Sequence, residues 1–138
     1  MKNRTFATLG LLALLAAASA FGQERMTFDV PFEFSTGGRI MPAGQYTVTH
    51  LPELRAIKLE CYDCEVNVRL LTYGVGSEKS SNHSGRLMFK RYGDTYFLSS
   101  VWSRRGVGEA LPTSKTERET VLRASLSPTS QVVLVARR

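Results

Sequence analysis

A small antiparallel β-sandwich or partly open β-barrel of about seven strands, with one short C-terminal helix, is the fold class that the sequence predicts. Three observations lead there. Apolar side chains recur at every second position through most of the chain, and turn residues cut these runs into short lengths. Only one stretch, near the C-terminus, changes to helical spacing.

The ends divide the chain into a signal peptide, residues 1–20, and a single β-rich domain, residues 21–138. Lys2 and Arg4 form a positive start, Leu9 to Ala18 is an uncharged apolar run, and Ala18-Ser19-Ala20 has the small-x-small form that a signal peptidase cleaves. The apolar run is short for a membrane span and no second one follows, so no span is expected after cleavage. Export to the periplasm or beyond the cell is therefore the expected localisation. Loss of Lys2 and Arg4 lowers the net charge from +6 to +4, with the bases scattered as doublets such as Lys90-Arg91 and Arg104-Arg105. That scatter suits a solvated surface better than a polyanion site, so no nucleic-acid partner is expected.

In "MTFDVPFEF", Phe28, Val30, Phe32 and Phe34 share one face of a half-buried strand, and Pro31, lacking an N–H, points to an edge or a bulge. "STGGR" and "MPAGQ" turn the chain. "QYTVTHL" alternates Tyr46, Val48 and His50 against Thr47, Thr49 and Leu51. After "PELR", the runs "AIKLEC" and "EVNVRLL" place Ile57, Leu59, Cys61 and Val66, Val68, Leu70 on the inner faces of a hairpin. Tyr73 to Gly85, rich in Gly and Ser, reads as a loop. "RLMFKRYGDTYFLSSVW" is a second hairpin turning at Gly93-Asp94.

Helical spacing begins at "LPTSKTERETVLRA". Ser114 and Glu117 form a capping box, Glu119 and Arg123 a favourable i,i+4 pair, and the helix is expected from Lys115 to Ala124. Its apolar face is thin, Val121, Leu122 and Ala124, so it must dock on the sheet. "QVVLVA" is an unbroken apolar run, consistent with a last strand covered on both faces.

Cys61 and Cys64 in "LECYDCEV" are the only cysteines. A redox dithiol needs a helix N-terminus to lower its thiol pKa, whereas this pair flanks a turn among Glu60, Asp63 and Glu65. A metal site would have to recruit both His50 and His83, one in a strand and one in a loop. A local disulfide in an oxidising compartment is the preferred reading, stabilising by roughly 2 kcal/mol at most. No catalytic residue and no cofactor motif emerges. "GVGSEKS" has Glu78 where a phosphate loop requires glycine, no G-x-S-x-G elbow exists, and His50 has no sequence-local partner. Asn82-His83-Ser84 fits a glycosylation sequon. The hairpin residues Lys90, Arg91, Tyr92, Tyr96 and Trp102 are the candidates for a ligand or partner surface, although alternation turns some of these rings inward.

The blocks "VPFEFSTGGRIMPAGQYTV", "RLMFKRYGDTYFLSSVW" and "LPTSKTERE" resemble a group of short exported proteins of acidobacterial-type soil bacteria. The shared pattern covers most of the processed chain. Met41 stands where the group usually has Leu, a volume-conserving change. The cysteine pair falls where similar proteins have an ordinary hairpin turn, which tells against a group-wide chemical role. The resemblance implies a bacterial envelope or secreted location and transfers no activity.

These readings lead to an expected non-enzymatic envelope or secreted module with a binding or structural role, its partner an envelope protein or polysaccharide. The alternatives are a carrier holding a small apolar ligand inside the barrel, or a metal or thiol-redox protein using Cys61 and Cys64.

Overall fold

A computed structural model describes residues 23–79, 84–124 and 130–137. The signal-peptide residues, His83 and Pro128 lie outside this set. Eleven strands form two sheets: β1 (Arg25–Val30), β2 (Phe34–Thr36), β3 (Arg39–Met41), β4 (Gly44–Leu51), β5 (Ala56–Cys61), β6 (Val66–Leu71), β7 (Tyr73–Ser77), β8 (Arg86–Tyr92), β9 (Thr95–Trp102), β10 (Val107–Ala110) and β11 (Ser130–Val135). Among the described residues one α-helix, α1 (Lys115–Ala124), precedes the last strand.

The first sheet has the order β1-β4-β5-β6, and the second runs β11-β8-β9-β10-β7 with the β2–β3 hairpin attached to β9. Every pairing is antiparallel except that of β2 with β9. Among the described residues this is a sandwich-like fold with no closed barrel, and it holds more strands than the seven expected.

Pro31 explains one of the extra strands. β1 pairs with β4 in the first sheet, whereas β2 pairs with β3 and β9 in the second, so the chain changes layer between Val30 and Phe34. A residue without an N–H belongs where a ladder stops. The period of two survives the crossing: Phe28, Val30 and Phe34 are buried, and partly buried Phe32 stacks on Tyr96 with ring centroids 3.9 Å apart. The next turn depends on glycine, because φ is +55° at Gly37 and +77° at Gly38, and this pair of left-handed residues closes the tight β2–β3 hairpin.

Between the sheets lie Met26, Phe28, Phe34, Tyr46, Val48, Ile57, Leu59, Leu87, Phe89 and Val101. Each fully buried side chain of this size contributes roughly 1.5–3 kcal/mol relative to exposure. The alternating residues Ile57, Leu59 and Cys61 of β5 enter this core, as do Tyr46 and Val48 of β4 and Leu87 and Phe89 of β8.

Three expectations are corrected. Tyr73 to Ser77 is not loop but β7, paired with β10 along the open edge of the second sheet; all its side chains are exposed, so no apolar face marks it. β11 is not covered on both faces: as an edge strand it leaves Val133 46% and Val135 57% exposed. On α1, Leu122 is exposed, and the buried contact is polar, with the Tyr92 hydroxyl donating to Glu117 Oε1 at 3.1 Å. Half of the predicted capping box forms: the Glu117 N–H donates to Ser114 Oγ at 3.1 Å, while the Glu117 carboxylate takes the Tyr92 hydroxyl. The ion pair along the helix is Lys115–Glu119. Among the described residues no helix is long and apolar enough to cross a membrane.

Candidate functional site

The cysteines close the hairpin between β5 and β6. Cys61 and Cys64 are joined as a disulfide, with Cα atoms 5.4 Å apart. Cys61 is the last residue of β5, pairs with Val66, and is buried in the core, whereas Cys64 lies half-buried in the turn. Tyr46 pairs with Cys61 in the neighbouring strand. The Tyr46 hydroxyl donates to the Pro42 carbonyl at 2.6 Å, and burial pushes its phenol up to about 12. His50 pairs with Ile57, four residues farther along β4, which is about 13 Å at the usual strand rise. The fold thus separates His50 from the cysteines, and His83 lies outside the described residues. Among the described residues no cluster of three metal-ligating side chains forms.

The aromatic and basic hairpin does not make one surface. Arg91 faces Tyr96 across the β8–β9 ladder and Arg86 faces Trp102, which puts Tyr96 and Arg91 on one face of the sheet, and Tyr92, Lys90 and Trp102 on the other. Tyr92 is buried beneath α1, where burial first, and then the neighbouring Glu117 carboxylate, raises its phenol pKa. Tyr96 lies between Phe32 and the Arg91 guanidinium. Trp102, at the far end of the strand from Tyr92, has the Arg86 guanidinium 5.2 Å from its ring centre. Gly108 passes so close to this indole that a Cβ there would fall 2.7 Å from the ring.

A buried polar cluster lies at the other end of β4. His50 is buried, and the chain brings it to Glu109 on β10, the strand facing it from the second sheet. A register shift between Gly108 and Glu109 breaks the β10–β7 ladder at this point, the kind of bulge that re-aims a side chain. Thr72, in the crossover from β6 to β7, donates its hydroxyl to Glu109 Oε2 at 2.9 Å, and His50 Nδ1 lies 3.6 Å from the same oxygen. The other ring nitrogen, Nε2, is buried and has no hydrogen-bond partner among the described residues.

His50 and Glu109 line a groove of about 670 Å³ with Glu24, Leu54, Arg105 and Val107. Its walls are the ends of both sheets and the 3-10 turn Pro52–Leu54. Ser103 lines it too, but its Oγ accepts the Val107 N–H at 3.0 Å and does not bond to His50 Nε2, so no nucleophile–base pair is assembled. His50 Nδ1 faces the Glu109 carboxylate at 3.6 Å, an ion-pair distance rather than a hydrogen bond.

Glu109 and Thr72 escape sequence reasoning because their meeting with His50 is made by the packing of one sheet on the other. The only local hint is the polar interruption of two apolar strand ends, Thr-His in β4 and Gly-Glu in β10. Comparison of the chain with family models, curated proteins and solved structures returns no match, so the groove's geometry is the ground for a functional reading.

Proposed function

We propose that the protein is an exported, non-enzymatic binding module of the bacterial envelope, and that the groove at the His50 end of the sandwich is its ligand seat. The observation that carries this reading is the groove itself: about 670 Å³ of open space, with the Glu109 carboxylate and an imidazole in its wall that keeps an unmatched buried nitrogen. An unmatched buried polar atom costs about 1–3 kcal/mol, so a fold that keeps one beside an open cleft has put stability aside at that place. Export is supported by the Lys2/Arg4 start, the apolar run and Ala18-Ser19-Ala20, and a disulfide suits the compartment reached. A carrier role gains nothing from the interior, because Phe28, Phe34, Tyr46 and Phe89 fill the space between the sheets.

The test is co-sedimentation of the processed chain with isolated bacterial envelopes. Wild type and a Leu122→Arg control on the exposed helix face should pellet alike, and Val107→Arg, which fills the groove, should stay in the supernatant. Equal pelleting of Val107→Arg and wild type would remove the groove from the function. Secretion of the full chain in a bacterial host should release a product that begins at Phe21, and an unprocessed cytoplasmic product would refute export.

A further inference from the structure

We infer that the groove takes an organic cation, an alkylammonium compound whose charged head lies against Glu109 and whose hydrocarbon chain runs along Leu54 and Val107; this rests on the groove's being the ligand seat. The sign of the charge is the first ground. The chain as a whole carries +6, yet the groove is lined by Glu24, Glu53 and Glu109 against the single guanidinium of Arg105. A cleft of reversed sign on a basic protein draws cations and repels anions.

Hydrogen-bonding chemistry agrees with that sign. Glu109 Oε2 is engaged by Thr72, and Oε1 has no hydrogen bond among the described residues. His50, whose side chain is 10% exposed, keeps Nε2 without a partner among the described residues. Glu53 is exposed and makes no ion pair among the described residues. The open carboxylate oxygens of Glu53 and Glu109 are acceptors that outnumber the one guanidinium of Arg105, and an ammonium brings three N–H donors and no acceptor. Glu24 is held at the rim, its Oε1 accepting the Arg104 N–H at 2.8 Å.

The remaining wall selects the rest of the ligand. Leu54 is 60% exposed and Val107 46% exposed, an apolar surface suited to a short methylene chain. Among the described residues no Phe, Tyr or Trp ring lines the groove, which argues against a saccharide stacked on a broad ring face.

The experiment titrates the processed chain with n-pentylamine, 1-pentanol and pentanoate, following the His50 ring and Val107 methyl resonances by NMR. Pentylamine is expected to shift both saturably, with the two controls at least about tenfold weaker, as loss of one charge-assisted hydrogen bond implies. Glu109→Gln, which keeps an oxygen for Thr72, should weaken pentylamine by about tenfold or more, and Glu53→Gln should weaken it less. Glu33→Gln, an exposed carboxylate away from the groove, should leave it unchanged. Unaltered affinity in Glu109→Gln overturns the inference. If pentanol or pentanoate moves these resonances as strongly as the amine, the cation is refuted and the groove remains a ligand seat. If none of the three moves them, the cation is refuted and the envelope co-sedimentation decides the seat separately.

Discussion

Tyr46 and His50 stand on the same face of the same strand, and the two ends of the sandwich that they mark are built on opposite terms. At the Tyr46 end the phenol donates to Pro42, the ring meets Phe34 edge-on at 5.2 Å, and the neighbouring strand is stapled by Cys61–Cys64. At the His50 end a carboxylate, a hydroxyl and an imidazole meet between two sheets, and one ring nitrogen is left without a partner. The comparison predicts that the closed end contributes more to stability than the open one, where a buried ring nitrogen has no partner among the described residues.

Tyr46→Ala should give the largest effect, a loss of about 3–5 kcal/mol in urea unfolding, since a large ring leaves a cavity among rigid neighbours. A loss under about 1 kcal/mol would show that the closed end is not the stabilising one. Alkaline pH probes the same ring. Its folded pKa of about 12 lies above the unfolded value of 10.0, so the contribution is complete below pH 10 and disappears as pH rises through 12. Linkage makes this about 2–3 kcal/mol, and Tyr92, raised in the same direction, adds to it. Tyr46→Phe should flatten the alkaline limb of a stability–pH curve; an unchanged limb would assign it to other groups.

Replacing both cysteines by serine should lower stability by roughly 2 kcal/mol or less, because the ring that they close is small. The protein should stay folded by circular dichroism, and unfolding on reduction would make the staple indispensable. The smallest effect belongs to the open end. His50→Leu, which removes the unmatched nitrogen from a site already apolar on the strand side, should stay within about 1 kcal/mol of wild type. A large loss there would mean that the His50–Glu109 contact ties the sheets together, and the contrast between the ends would vanish.

How much of this was legible in the sequence follows from the same contrast. Strands with one dry face announce themselves, as in Tyr46-Val48-His50, Ile57-Leu59-Cys61 and Leu87-Phe89, where every second side chain is buried. β7 and β10 do not, because Gly74, Gly76 and Gly108 erase the alternation and β7 lies on an edge where neither face is covered. β11 misled in the other direction: Val132 to Val135 look like a core strand, but Val133 and Val135 face solvent. The disulfide could be read from its spacing and its turn. Glu109 and Thr72 could not, since nothing in the chain near His50 specifies which strand end of the second sheet will come to rest against it.

The passage of the chain from one layer to the other at Pro31 has a consequence for how the molecule assembles. β1 completes the first sheet, and β2, only a few residues later, completes the second beside β9. Neither half can reach its final form while the other is still unravelled, because a single short segment is stitched into both. The domain should therefore melt as one cooperative unit, and proteolytic fragments carrying only one of its layers should have no stable shape of their own.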